Sequence, residues 1–516
     1  MVPVSPHVIL QSLSTSIEKT GSLTSHVSWL VLAKTLSFSL ALALPLVLVR
    51  RLSQTEFGLY KQIFLVIGTS VVVLQVGFGM SAYYFLPREP ERQRQTIINV
   101  LLFNLVMGAA AGLVFFFYPT LLGDLFRQPG LAAYGRLVGL VILLWIVSSF
   151  LEIVPIANQE IKLASAAIVS VQLSRTVLYL AAVLIFGTVR ALVYAAVLQG
   201  VLQLILLLAY LESRFPRYWR CFDLAMLRRQ LSYVLPIGLG ALLLNVQTDL
   251  PNYFVSNRFG PTIFAVYAIG TVQLPFLNLL QEATNSVMIL RVTMLQQRGD
   301  TAEILRVTAS AMRKLAAVYF PAYVFFLIFR REVITLLFTA RYTASANIFA
   351  INLLLLPMAV LLYDPLFRAY IDQRFFLLRL RLVLCSVMAA GLWLAIGHFG
   401  LMGAISTVVI ISATERALTL ARICRILGVR GRDIRLLQDV GKLAVAAAFA
   451  GGAAFLAPAV LGSLKPVFIL AAGGAVFVCV YAAAVFVLRI VTEEERAFVL
   501  QKLALAWSHW AAPAAR

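Results

Sequence analysis

An all-α polytopic membrane protein of about fourteen transmembrane helices is the fold class that three features of this sequence predict: its hydrophobicity, its recurring apolar runs and an internal repeat. Hydrophobic residues make up 61% of the 516 and charged residues 13%, with a mean hydropathy of +0.92, which excludes a water-soluble globule. A bilayer-spanning helix needs about 20 mainly apolar residues. Fourteen such runs fit at 29–49, 58–86, 96–118, 134–156, 163–186, 191–211, 231–256, 262–290, 305–329, 346–370, 380–398, 400–424, 440–461 and 466–488. The repeat sets Arg51-Leu52-Ser53-Gln54-Thr55-Glu56-Phe57-Gly58-Leu59-Tyr60 against Arg258-Phe259-Gly260-Pro261-Thr262-Ile263-Phe264-Ala265-Val266-Tyr267, with Arg, Thr, Phe and Tyr at matching positions. A span, a short turn and a span recur, and the six spans between the copies return the chain to the same side. Two parallel, related halves follow, with their axis along the membrane normal.

Taken in order, residues 1–28 form a Ser/Thr-rich tail, and no small-residue cleavage site follows the first apolar run, which is read as a retained span. That span carries Lys34 near its inner end, where a long side chain reaches the headgroups, and Pro45 near its outer end, where a lost helix hydrogen bond favours a bend. The second contains Gln75 and Gly77-Phe78-Gly79, small residues that permit close helix approach. The fifth holds Arg175 near its middle. A midplane arginine costs at least ~2.5 kcal/mol to insert and faces either a hydrated cavity or an ionic partner.

A basic connector, 212–230, precedes the seventh span. There Asn245, Thr248, Asp249 and Asn252 are spaced i, i+3, i+4, i+7, one face of a helix. The eighth span repeats the pattern with Asn278, Gln281, Glu282 and Asn285. Each polar group left unsatisfied in hydrocarbon costs several kcal/mol, so the two stripes either line a shared hydrated space or hydrogen-bond to each other. Glu152 and Asp364 lie near inner span ends and Glu415-Arg416 sit side by side in the twelfth span; all four are read as helix-end groups solvated at the interface. A basic loop, 425–439, separates spans 12 and 13. The last segment, 489–516, opens with Thr492-Glu493-Glu494-Glu495, a helix-start pattern, and runs through Trp507 and Trp510 as an interfacial amphipathic helix.

The net charge of +21 would suggest nucleic acid in a soluble protein, but the charges sort by side. With the N-terminus inside, 29 of the 43 Lys and Arg fall in inner segments or the inner parts of spans and 11 in outer segments or the outer parts of spans. This asymmetry places both termini in the cytoplasm, although Arg50 and Arg51 run against it. Basic inner loops meet anionic lipid headgroups rather than nucleic acid. The four cysteines and four histidines are scattered, without disulfide or metal-ligand spacing, and no metal or cofactor is expected. No phosphate-binding glycine loop, nucleophile elbow, HExxH or outer acidic cluster is present, which argues against an ATP-driven pump and against an enzyme.

Several stretches resemble the polysaccharide (O-antigen and exopolysaccharide) flippases of bacterial inner membranes, within the superfamily that includes multidrug and toxin exporters and lipid II flippases. They are Arg51-Leu52 with Phe57-Gly58-Leu59-Tyr60, then Gly77-Phe78-Gly79, then Leu235-Pro236-Ile237-Gly238 with Asp249 and Arg258, and finally Gly397-His398-Phe399-Gly400-Leu401-Met402-Gly403-Ala404. Ser53 stands where that family often has glycine, a departure that bears on the turn. The resemblance covers roughly 25–424. It implies an N-lobe over 29–211, a C-lobe over 231–424 and two added spans in 440–488. It also implies alternating access of a central cavity that moves polyprenyl-pyrophosphate-linked oligosaccharide between leaflets, with membrane lipids and the polysaccharide assembly machinery as partners. On that reading Arg175 and Lys34 meet the pyrophosphate, and Asn245, Asn252, Asn278 and Gln281 meet sugar hydroxyls. Asp249 and Glu282 pair with the cations or carry protons. An ion-coupled multidrug antiporter resting on Asp249 and Glu282, and a membrane polymerase or ligase, are the competing readings.

Overall fold

The computed structural model describes residues 36–37, 40, 43–370, 373–456, 465–488 and 490. Lys34, the 1–28 tail, the end of the thirteenth span and the amphipathic segment from Thr492 lie outside them. The main helices are α1 (Gln54–Gln75), α2 (Gln93–Phe117), α3 (Gly135–Ser148), α4 (Ile161–Ile185), α5 (Val189–Arg214), α6 (Leu224–Gly270), α7 (Pro275–Gln297), α8 (Thr301–Ile328), α9 (Arg374–Leu427), α10 (Gln438–Ala454) and α11 (Pro466–Val487). The described residues include no strand. Eight of their helical stretches are long and apolar enough to cross a bilayer, or nine when the pair Leu224–Leu235 and Gly238–Gly270, bent by 51° next to Pro236, counts as one span.

Two of these helices exceed any single span. At about 1.5 Å per residue, the 47 residues of α6 and the 54 of α9 are each more than twice the ~30 Å of a hydrocarbon core. Each is two helices joined by a kink at a glycine. Gly260 has φ 75° and ψ −179°, and Gly400 has φ 57° and ψ −136°, conformations that side chains with a Cβ avoid.

The first copy of the repeat turns without glycine. Ser53, at φ −66°, caps α1: its hydroxyl accepts from the Glu56 N–H, and the Glu56 carboxylate takes the Ser53 N–H at 3.0 Å. A reciprocal capping box satisfies two helix-end donors at once, so this position does not need a glycine. The two copies then meet. Thr55 and Thr262 share a 2.8 Å hydrogen bond between hydroxyls, Gln62 donates to Ser256 at 2.8 Å, and Gly58 lies against the backbone of Pro261 so closely that a Cβ would fall 1.9 Å from its carbonyl oxygen.

Two expected spans are broken. The eighth is interrupted at 271–274, between the end of α6 and the start of α7 at Pro275, because proline lacks the N–H that would continue the ladder. The tenth is three pieces, Ser345–Asn352, Leu355–Ala359 and Asp364–Ala369. Averaged hydropathy joins such pieces, since the apolar character runs on through the breaks.

The chain divides into two compact units. The first draws on the chain up to Ala268 and on Arg381–Ala404; the second draws on Ile269–Leu380 and on the chain from Ile405. In the first, α2 packs on α3 through Gly108 and Gly112 against Gly139 and Leu143. Small residues let the two backbones approach, and in lipid this packing substitutes for a hydrophobic driving force. Phe78, Ile97, Phe150 and Leu211 fill its core. In the second, α7, α8 and α10 close around Leu277, Met312, Leu315, Tyr319 and Leu443, with Tyr319 donating to the Leu277 carbonyl at 2.7 Å.

Candidate functional site

Within the first unit, Asp249 stands on α6 and accepts a 2.6 Å hydrogen bond from the Thr69 hydroxyl on α1. Tyr253, one turn further along α6, faces the same two groups and stacks on Phe126 with ring centroids 6.0 Å apart. A carboxylate, a hydroxyl and a phenol therefore converge where α6 crosses α1. The rest of the α6 stripe turns inward on its own helix. Asn245 donates to the Ala241 carbonyl at 2.8 Å, and Thr248 to that of Leu244 at 2.9 Å, the back-bonding that spares a hydroxyl or amide in an apolar helix. Asn252 is half-buried, and its side chain makes no hydrogen bond among the described residues.

Arg175, on α4, sits in an aromatic box of the same unit. Its guanidinium lies 4.6 Å from the Trp145 ring, a cation–π arrangement whose strength grows with desolvation. Phe64 links the rings: it is 6.1 Å from Trp145, 5.7 Å from Tyr179 and 4.7 Å from Tyr60, and both tyrosines lie within the electrostatic reach of Arg175. The Nε of Arg175 and the hydroxyl of Tyr179 are both buried without a hydrogen-bond partner. Among the described residues Arg175 makes no ion pair. Of the two environments expected for it, the carboxylate partner is not the one observed; an aromatic box takes its place and leaves donors uncommitted.

In the second unit, Asn278 lies in the first turn of α7 and donates to the Gln273 Oε1 across the break at 3.0 Å. Gln281 is half-buried and Glu282 exposed, while the Asn285 Oδ1 is buried and unpartnered. These four residues follow a discontinuity in the helix, a place where transporters expose polar backbone and side chains. The α6 and α7 stripes belong to different compact units. The side-chain hydrogen bonds of Asn245, Thr248 and Asn278 are local, so these three residues do not form the zipper between stripes.

Glu415 and Arg416 correct the expectation of helix-end solvation. Glu415 is 6% exposed. Arg416 donates to the Met358 carbonyl, and its guanidinium lies 5.9 Å from the Tyr363 ring. The broken tenth span makes this possible, because the Met358 carbonyl, at the end of the short helix Leu355–Ala359, accepts from the Leu361 N–H at 3.2 Å and has a second lone pair for the cation. Lys61, in α1 and 5.7 Å from the Phe57 ring, is a further cation among apolar neighbours, absent from the residues singled out by sequence. A signal for it exists, a lysine inside an apolar run. Thr69, Trp145 and Tyr179 have no such signal, being ordinary in a membrane helix.

Comparison with known proteins places this architecture. The family model described as polysaccharide biosynthesis protein matches residues 47–347. No curated protein sequence matches significantly. Among solved structures, an inward closed conformation of the lipid II flippase MurJ superposes with a TM-score of 0.67 at 12% identity, covering 89% of this chain and 98% of that one. An inward-facing multidrug resistance MATE family transporter of the MOP superfamily gives 0.59 at 17% identity over 76% and 98%. A MOP superfamily transporter from Pyrococcus furiosus gives 0.55 at 16% over 78% and 96%. At these identities the likeness is one of fold: a multi-pass helical membrane protein.

Proposed function

The chain belongs to the polysaccharide biosynthesis protein family, and on that premise we propose that it is a flippase that carries polyprenyl-pyrophosphate-linked oligosaccharide across the bacterial inner membrane for polysaccharide assembly. The observation that carries the reading is Arg175, a membrane-embedded cation with a buried, uncommitted Nε and no carboxylate partner among the described residues. A pyrophosphate offers such a guanidinium charge-assisted, paired hydrogen bonds. Lys34 would be its counterpart on the first span. Asn252, Gln281 and Asn285 retain amide groups for sugar hydroxyls, and Asn245 and Asn278 can exchange their local bonds for the same purpose. The polyprenyl tail stays in the bilayer, while an N-lobe over 29–211 and a C-lobe over 231–424 alternate access with both termini cytoplasmic.

The hydrogen-bonded pair Thr69–Asp249 favours one second reading: proton or cation coupling at Asp249, either driving the flippase or serving a multidrug antiporter. Protein in liposomes loaded on one leaflet with fluorescent polyprenyl-pyrophosphate oligosaccharide separates the two. Loss of signal to an impermeant quencher with wild type, abolished in Arg175→Ala at equal expression, supports the flippase. No movement of the lipid, together with gradient-driven efflux of organic cations, overturns it in favour of the antiporter.

A further inference from the structure

Between α7 and α8 lies a cleft of about 550 Å³ lined by Thr284, Val287, Arg291, Arg306, Ser310 and Lys314 among others. It is separate from the polar stripe of α7. At about 100° per residue, Thr284, Val287 and Arg291 stand on the opposite side of that helix from Asn278, Glu282 and Asn285. The charges do not cancel. Glu303, the acid of the cleft, is held 3.2 Å from Arg306 as an i, i+3 pair, and neither Arg291 nor Lys314 has an ionic partner among the described residues. Arg291, Arg306, Ser310 and Lys314 are all exposed.

The position of the cleft is set by the hairpin that joins the two helices at Gly299. Arg291 lies about 12 Å and Lys314 about 22 Å along their helices from that turn, at 1.5 Å per residue. α8 has 28 residues and is therefore about 42 Å long, more than the ~30 Å hydrocarbon core. A ~30 Å core that ends at Ile328 begins near Thr308, so Arg291 and Arg306 stand at its edge and Lys314, about 9 Å inside, reaches that edge with its long side chain. A basic cleft between spans at that edge, whose lining also includes the apolar Val287, Met288, Val307 and Ala311, suits an anionic headgroup beside an acyl or prenyl chain.

We propose that the α7–α8 cleft is a lateral binding site for the phosphoryl headgroup of a lipid, separate from the translocation pathway. Arg291 and Lys314 contact the phosphoryl oxygens, and Ser310 supplies a hydroxyl donor beside them. Two sources share this chemistry, an anionic phospholipid and a prenyl diphosphate.

Native mass spectrometry of the full chain in dodecyl maltoside tests the site with dioctanoyl phosphatidylglycerol, farnesyl diphosphate and, as the phosphate-free counterpart, dioctanoylglycerol. Binding of at least one phosphorylated probe, weakened about tenfold or more in Arg291→Ala/Lys314→Ala and unchanged in Arg298→Ala/Arg435→Ala, supports the site. Which probe binds more tightly identifies the source. Should the double variant not fold, Ser310→Trp fills the cleft without altering charge and must weaken the same binding. Equal loss in the two double variants, no loss in the cleft variants, or equal binding of dioctanoylglycerol overturns the proposal. The readout needs no transport, so it stands or falls apart from the flippase reading.

Discussion

Thr55 and Thr262 are 207 residues apart in the chain and 2.8 Å apart in space, and 207 is also the offset of the internal repeat. Equivalent residues of two copies touch each other only where they lie close to the axis that relates the copies, as at the centre of the self-complementary contact of a symmetric dimer. If the alternating cycle opens this contact, a Thr55→Cys/Thr262→Cys pair, in a background lacking Cys221, Cys385, Cys424 and Cys479, crosslinks on mild oxidation. Transport then falls to background and returns with dithiothreitol. A complete crosslink with undiminished transport means the contact stays shut throughout the cycle.

Gly58 is pressed against the Pro261 backbone, whereas at Gly68, on the same helix, an added Cβ would meet nothing within 4 Å. Gly58→Ala therefore overpacks the turn and lowers stability by about 1–3 kcal/mol. Gly68→Ala is neutral or gains up to ~1 kcal/mol from helix propensity. Thermal unfolding midpoints in detergent separate the two, and equal midpoints contradict the packing argument.

The motif Gly397-His398-Phe399-Gly400 gives a second matched pair. Gly400 occupies φ 57° and ψ −136°, a region costing ~1–3 kcal/mol for a residue with a side chain, and Gly397 is helical with open space beside it. Gly400→Ala is expected to lower the unfolding midpoint and Gly397→Ala to leave it or raise it.

Asp249 and Thr69 form one bond whose two ends can be removed separately. Thr69→Val takes away a hydroxyl and keeps the charge, leaving a half-buried carboxylate short of a donor, at about 1–3 kcal/mol. Asp249→Asn keeps the shape and the hydrogen bond while removing the charge. A protein that uses this carboxylate for coupling loses gradient dependence in Asp249→Asn and retains it, at reduced stability, in Thr69→Val. Transport rates with and without an imposed proton or sodium gradient give the answer.

The charges of the candidate site are legible because a carboxylate or guanidinium inside an apolar run has no bland explanation: Asp249 and Arg175 stand out in the sequence. Their partners do not. Thr69 and Trp145 are common in membrane helices, and only the crossing of α6 over α1 and of α4 against α3 gives them a role. The turn motif is legible as well, although the reason for Gly58 requires the three-dimensional approach of Pro261. Sequence alone makes Arg416 a helix-end group because a boundary drawn by hydropathy puts it there, while its burial depends on the broken span that brings the Met358 carbonyl to it. Pro275 announces the other break, but hydropathy runs through 271–274 without a dip.

The self-contact of the repeat has a consequence for ancestry. A shorter polypeptide with a single copy of the turn already carries both surfaces of the Thr–Thr junction, so two such polypeptides can meet there without acquiring any new surface. Gene fusion would then join partners that already fitted, after which the copies were free to diverge: Ser53 caps a helix start, and its counterpart Gly260 carries a kink at φ 75° that residues with a Cβ avoid.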